Sequence, residues 1–136
     1  MKYIEKDLSI DNFKIKILAQ KYSTPLYCYS YKKIRENIRQ LKKNFKTINP
    51  IVCFSLKANP NKMLLHEISK LGLGADVVSM GELMMALKSG INPKKIVFSG
   101  VGKTPAEIKY AIERKILLIN AESKSEILEI EKIAKI

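Results

Sequence analysis

The chain has 136 residues, 46% hydrophobic and 28% charged, with 25 Lys and Arg against 13 Asp and Glu for a net charge of +12. That length buries a sizeable core, and no apolar run approaches the ~20 residues of a membrane span, so one globular domain away from membranes is the default expectation. The excess charge is carried almost wholly by lysines spread over every predicted helix, with only three arginines to read bases, so nucleic acid is not an expected partner.

The opening Met1-Lys2-Tyr3-Ile4-Glu5-Lys6-Asp7 has no apolar signal core, which predicts a cytoplasmic location. Residues 9–21 read as a short amphipathic helix ended by Thr24-Pro25, because the residue before proline avoids the α region. Leu26-Tyr27-Cys28-Tyr29 reads as a short strand. Ser30 then caps a long helix with Ile34, Ile38, Leu41 and Phe45 on one stripe and a solvated basic face, stopped by Asn49-Pro50.

Strand-like runs begin near Ile51, Ala75, Lys95 and Leu117, each followed by a helical pattern. Such alternation predicts parallel strands joined by right-handed crossovers, and two folds suit it: a small doubly wound sheet, or the first half of a (β/α)8 barrel. Thr104-Pro105-Ala106-Glu107 and Ser123-Lys124-Ser125-Glu126 are capping boxes that mark helix starts.

The run Ile51 to Pro60 is the most informative stretch. As a strand it places Val52, Phe54 and Leu56 on one face and Cys53, Ser55 and Lys57 on the other. The bulky set calls for a helix layer. Lys57 at the C-terminal end of a buried strand would have its stem in low dielectric, which favours a neutral, nucleophilic amine suited to Schiff-base chemistry; a solvated surface lysine is the alternative.

Other signals weigh less. Cys28 and Cys53 have no metal-ligand or CxxC spacing and read as reduced core thiols. Gly100-Val101-Gly102-Lys103-Thr104 is no phosphate-binding P-loop, because the glycine required five positions before Gly102 is Val97. Gly72-Leu73-Gly74 precedes a strand instead of following one, which argues against a dinucleotide fingerprint. His66, the single histidine, falls in a helix away from the strand ends. Ser79-Met80-Gly81-Glu82 is a capping box in its own right, and Asp76 is either a helix-entry aspartate or an acid beside Lys57.

The string Phe54-Ser55-Leu56-Lys57-Ala58-Asn59 resembles the cofactor-lysine motif of the alanine-racemase-like, fold-type III enzymes that use pyridoxal 5'-phosphate (PLP). Gly72 to Leu83 and Ile96 to Thr104 narrow the resemblance to the diaminopimelate decarboxylase family, from about Tyr22 onward. The resemblance implies the first half of a (β/α)8 TIM barrel over residues 30–136, with residues 1–29 belonging to a β-rich second domain. It implies a carboxy-lyase that converts meso-2,6-diaminopimelate to L-lysine and CO2 in lysine biosynthesis. Lys57 would be catalytic and hold the cofactor, with Ala58, Asp76 and Glu82 beside it and no metal. The family's phosphate loop, stacking histidine and substrate arginine would lie beyond this chain, and the active site is completed across a homodimer. Since a barrel takes about 250 residues, the chain is expected to be the front part of a longer protein and inactive alone. Ornithine, arginine or carboxynorspermidine decarboxylases, or a non-catalytic PLP carrier, are the alternatives.

Overall fold

The structure is a computed structural model that describes residues 1–4 and 6–135. It divides into two compact units, Met1–Lys46 and Thr47–Ile136.

The first unit opens with three antiparallel strands, β1 (Lys2–Ile4), β2 (Asp7–Ile10) and β3 (Phe13–Lys14), in the order β1-β2-β3. Ile10 pairs with Phe13 across Asp11-Asn12, whose φ values of 48° and 71° are both left-handed, as a two-residue turn matched to strand twist requires. The helix expected over 9–21 is therefore corrected: residues 9–14 are hairpin, and only α1 (Ile15–Tyr22) is helical, packing on β2 and β3. The Asp-Asn pair tolerates left-handed backbone and breaks the helix register there. The strand expected at Leu26–Tyr29 is also corrected, because among the described residues that segment has no ladder partner. α2 (Tyr31–Asn44) starts as expected at Ser30, whose Oγ accepts the Lys33 N–H at 2.9 Å. The same hydroxyl donates to Asp11 Oδ2 at 2.5 Å, tying the helix start to the hairpin turn.

The second unit is a run of βα pairs: β4 (Cys53–Ser55), α3 (Lys62–Lys70), β5 (Gly74–Val77), α4 (Met80–Lys88), β6 (Ile96–Phe98), α5 (Pro105–Glu113), β7 (Leu118–Ile119) and α6 (Lys124–Ala134). All strands are parallel, with spatial order β4-β5-β6-β7 equal to chain order. A doubly wound sheet reverses order at a switch point; four strands laid down in sequence form the singly wound pattern of a barrel wall.

Strand alternation separates two faces. Ala75, Val77, Ile96 and Phe98 are buried together with Leu64, Leu65, Ile68, Leu83, Ala86, Ile108 and Ala111 of α3, α4 and α5, so this face lies under the helices. Each large side chain among them adds about 1.5–3 kcal/mol of burial. The opposite face carries Cys53 and Ser55, Gly74 and Asp76, Val97, and Leu118, in register across the sheet. It is half-buried to exposed apart from Gly74. Only glycine fits at Gly74, where a Cβ would lie 2.0 Å from the Lys95 carbonyl oxygen and 2.9 Å from Cys53 Sγ. α6 differs from α3, α4 and α5 in burying none of its residues, and Ile127 and Leu128 are each more than half exposed.

Candidate active site

β4 ends at Ser55, and Leu56–Ala58 form a 3₁₀ turn that carries Lys57 just past the strand's C-terminal end. The expected parity thus holds through Leu56, which is fully buried, and fails at Lys57, which is exposed. The low-dielectric environment expected for the Lys57 stem is corrected accordingly: Asn59-Pro60 brings the chain out of the sheet into a turn, closed by the Asn59 N–H donating to the Leu56 carbonyl at 3.1 Å. Ala58 is exposed beside it.

Asp76 lies on β5, in register with Ser55 of β4 and Val97 of β6. Its Oδ1 accepts from the Ser99 hydroxyl at 2.7 Å, and Ser99 Oγ accepts from Asn120 Nδ2 at 3.0 Å. Ser55 Oγ is buried and has no hydrogen-bond partner among the described residues. Cys53, two residues before Ser55 on the same face, has its thiol pushed up by burial and secondarily by the negative charge of Asp76. It is therefore a poor nucleophile, in keeping with its reading as a reduced core thiol.

Glu82 sits in the first turn of α4. Ser79 Oγ accepts the Glu82 N–H at 3.2 Å, and the Glu82 carboxylate accepts the Val78 N–H at 2.8 Å, which fixes the turn that follows Asp76. His66 is exposed on α3, the surface position expected of it. The structure thus gathers Lys57, Asp76 and Glu82 at one end of the parallel sheet.

Lys103 is the residue that sequence reasoning passed over. Its side chain is 1% exposed, and its ammonium donates to three oxygens, each at 2.7 Å: Glu126 Oε1 and the carbonyls of Gly100 and Asn120. All three donors are filled, as a buried lysine requires. This bond holds the Glu126 carboxyl below its ordinary range, with the Glu122 N–H adding to the effect. Glu107 links neighbouring units similarly. One oxygen accepts the Met80 N–H of α4 at 3.0 Å and the other closes the Thr104 capping box at 2.9 Å, and the two backbone donors lower its pKa. The signal for these links was the Ser/Thr-x-x-Glu string repeated at the start of α4, α5 and α6.

Residues 31–136 match the family model described as "Pyridoxal-dependent decarboxylase, pyridoxal binding domain". The chain belongs to this family. A diaminopimelate decarboxylase of Helicobacter pylori is 46% identical over 123 residues, covering 90% of this chain and 30% of that protein. One of Aquifex aeolicus is 41% identical over 134 residues, covering 98% and 31%. The crystal structure of diaminopimelate decarboxylase from M. jannaschii in co-complex with L-lysine superposes with a TM-score of 0.93 at 39% identity, covering 96% of this chain and 32% of that one. The chain therefore spans about 30% of the length of its curated relatives. Its second unit is the first part of the family's (β/α)8 barrel, and the family's cofactor is PLP.

The site fits a cofactor of that kind on its own geometry. An exposed lysine follows a strand's C-terminal end, a buried hydroxyl on the same strand lacks a partner, and a carboxylate sits in register on the neighbouring strand.

Proposed function

We propose that this chain carries the cofactor-binding lysine of a decarboxylase that takes meso-2,6-diaminopimelate to L-lysine and CO2, the last step of lysine biosynthesis. The observation that carries the reading is Lys57 at the C-terminal edge of β4, one strand from Asp76. Identity of 41–46% to diaminopimelate decarboxylases supports the choice of substrate.

In this reading Lys57 Nζ is the covalent attachment point for PLP. Its exposure leaves the nitrogen accessible to an incoming carbonyl carbon. When bound, the cofactor supplies an electron sink for the pair left behind as CO2 departs. Asp76 provides an oriented negative charge beside that position, and Ala58 has no side-chain bulk to obstruct it. Glu82 acts on the same side by holding Val78, two residues after Asp76. Residues 30–136 are the barrel portion, supported by the family match from residue 31, and residues 1–29, with their antiparallel strands, belong to the β domain. We place the full protein in the cytoplasm as a homodimer, free of nucleic acid and membrane. The free thiols of Cys28 and Cys53 suit that reducing compartment, and no helix among the described residues is long and apolar enough to cross a membrane.

Reduction with borohydride after incubation with PLP, followed by peptide mass mapping, tests the assignment. The pyridoxyl label is expected on the Lys57 peptide and absent in Lys57→Ala. Equal labelling of many lysines, unchanged in Lys57→Ala, overturns it. The 136-residue chain alone is expected to release no CO2 from diaminopimelate.

A further inference from the structure

We propose that Ser99 and Asn120 are positioning residues for Asp76, and that the buried Lys103–Glu126 pair anchors them. The inference rests on the cofactor-site reading of Lys57 and Asp76 and extends it to the ends of two later strands.

Three consecutive strands each bring one polar side chain to the same edge: Asp76 in β5, Ser99 directly after β6, and Asn120 directly after β7. Backbone bonds carry the ladder that one residue further, with the Ser99 N–H donating to the Val77 carbonyl at 2.8 Å and the Asn120 N–H to the Phe98 carbonyl at 2.9 Å. The side chains then form a relay with one direction. The Asn120 amide donates to Ser99 Oγ, so the single hydroxyl hydrogen of Ser99 is left to donate to Asp76 Oδ1. The terminal torsion of an aspartate is otherwise broad. One bonded oxygen stops that rotation, so the carboxylate plane is set before any ligand arrives.

The relay works only if the loops after β6 and β7 keep their spacing, and Lys103 sets it. Its ammonium bonds the Gly100 carbonyl, next to Ser99, and the carbonyl of Asn120 itself, while Glu126 balances the charge. Gly100 permits the tight course, with φ of 94° and a would-be Cβ at 3.3 Å from that of Val78. The strut thus joins two backbones whose side chains meet at Asp76.

The test uses the protein with and without PLP, comparing Ser99→Ala, Ser99→Thr, Asn120→Ala, Asp76→Asn and the double variant Ser99→Ala/Asp76→Asn. Read-outs are the PLP dissociation constant, the induced circular dichroism of the bound cofactor, and the Asp76 carboxyl carbon resonance without cofactor. Ser99→Ala is expected to shift that resonance, to weaken PLP binding about tenfold, as loss of a charge-assisted hydrogen bond implies, and to reduce the induced signal. Ser99→Thr restores all three because it keeps the hydroxyl, and Asn120→Ala falls between. In the Asp76→Asn background, Ser99→Ala adds nothing, since both act through one group. An unmoved Asp76 resonance in Ser99→Ala, or additive losses in the double variant, overturns the relay. Failure of the wild type to take up PLP at all, with the resonance shift intact, overturns the cofactor-site reading instead, and the positioning role falls with it.

Discussion

Replacing Lys103 by Met keeps most of the buried stem and removes only the ammonium, so it isolates the charge. The Lys103 side chain is 1% exposed and Glu126 10%, and the ammonium makes three bonds of 2.7 Å. Breaking a buried pair by removing one partner costs about 3–5 kcal/mol, because the remaining charge stays desolvated without compensation. With a urea slope of about 2 kcal/mol/M for a domain of this size, the unfolding midpoint should fall by about 2 M, followed by far-ultraviolet circular dichroism. Lys103→Met/Glu126→Leu should regain a good part of that loss, since removing both charges removes the orphan. The two carbonyls and the Glu122 N–H that lose partners keep the recovery incomplete. A shift under about 0.5 M in Lys103→Met would show that the pair does not hold the β6 and β7 loops together, and would refute the strut.

Gly74→Ala should be severely destabilising or fail to fold, because its Cβ meets backbone at 2.0 Å with no flexible side chain to yield; the soluble yield and urea midpoint report it. Glu107→Ala should cost about 1–2 kcal/mol, measured by thermal unfolding, because it opens the Thr104 cap and frees the Met80 N–H. Glu107 and Glu126 both titrate below their ordinary value of 4.5 in the folded chain. Their stabilisation is therefore complete above the unfolded pKa and is lost as pH falls through the folded one, so acid should lower the urea midpoint below about pH 4.5. That loss should be smaller in Lys103→Met. Cys53, with its thiol raised by burial, should alkylate more slowly in the folded protein than in urea, read by mass spectrometry of the Cys53 peptide.

The βα repeat was legible because each unit states its own period and its own cap: Ser79, Thr104 and Ser123 mark helix starts, and Leu64, Leu83 and Ile108 mark buried faces. The spatial order of the strands was not, since periodicity is the same in a barrel wall and in a doubly wound sheet. The hairpin at Asp11-Asn12 was hidden by a helical pattern in Ile15 to Tyr22 that was extended too far toward the N-terminus. Lys57 stood out by its place after an apolar run, but its exposure did not, because alternation cannot foresee that a strand gives way to a 3₁₀ turn at Leu56. Ser99 and Asn120 are short polar residues at strand ends, and only the register of β5, β6 and β7 shows that they meet.

The groups that set this site's geometry are largely separate from the groups assigned its chemistry. Each of α4, α5 and α6 begins with a hydroxyl cap and a glutamate three residues on, and each glutamate bonds a backbone N–H before its helix: Val78 for Glu82, Thr104 for Glu107, Glu122 for Glu126. Two of these carboxylates then reach a neighbouring unit, Glu107 to Met80 and Glu126 to Lys103. Helix capping, ordinarily a local device worth about 1 kcal/mol, here fixes where one strand's loop stands relative to the next. A lysine just past the end of one strand and an aspartate on the next hold their spacing only as well as those loops do. Substitutions at Glu107 or Lys103 should therefore loosen cofactor binding without touching it, and their effect should shrink once Asp76 is removed.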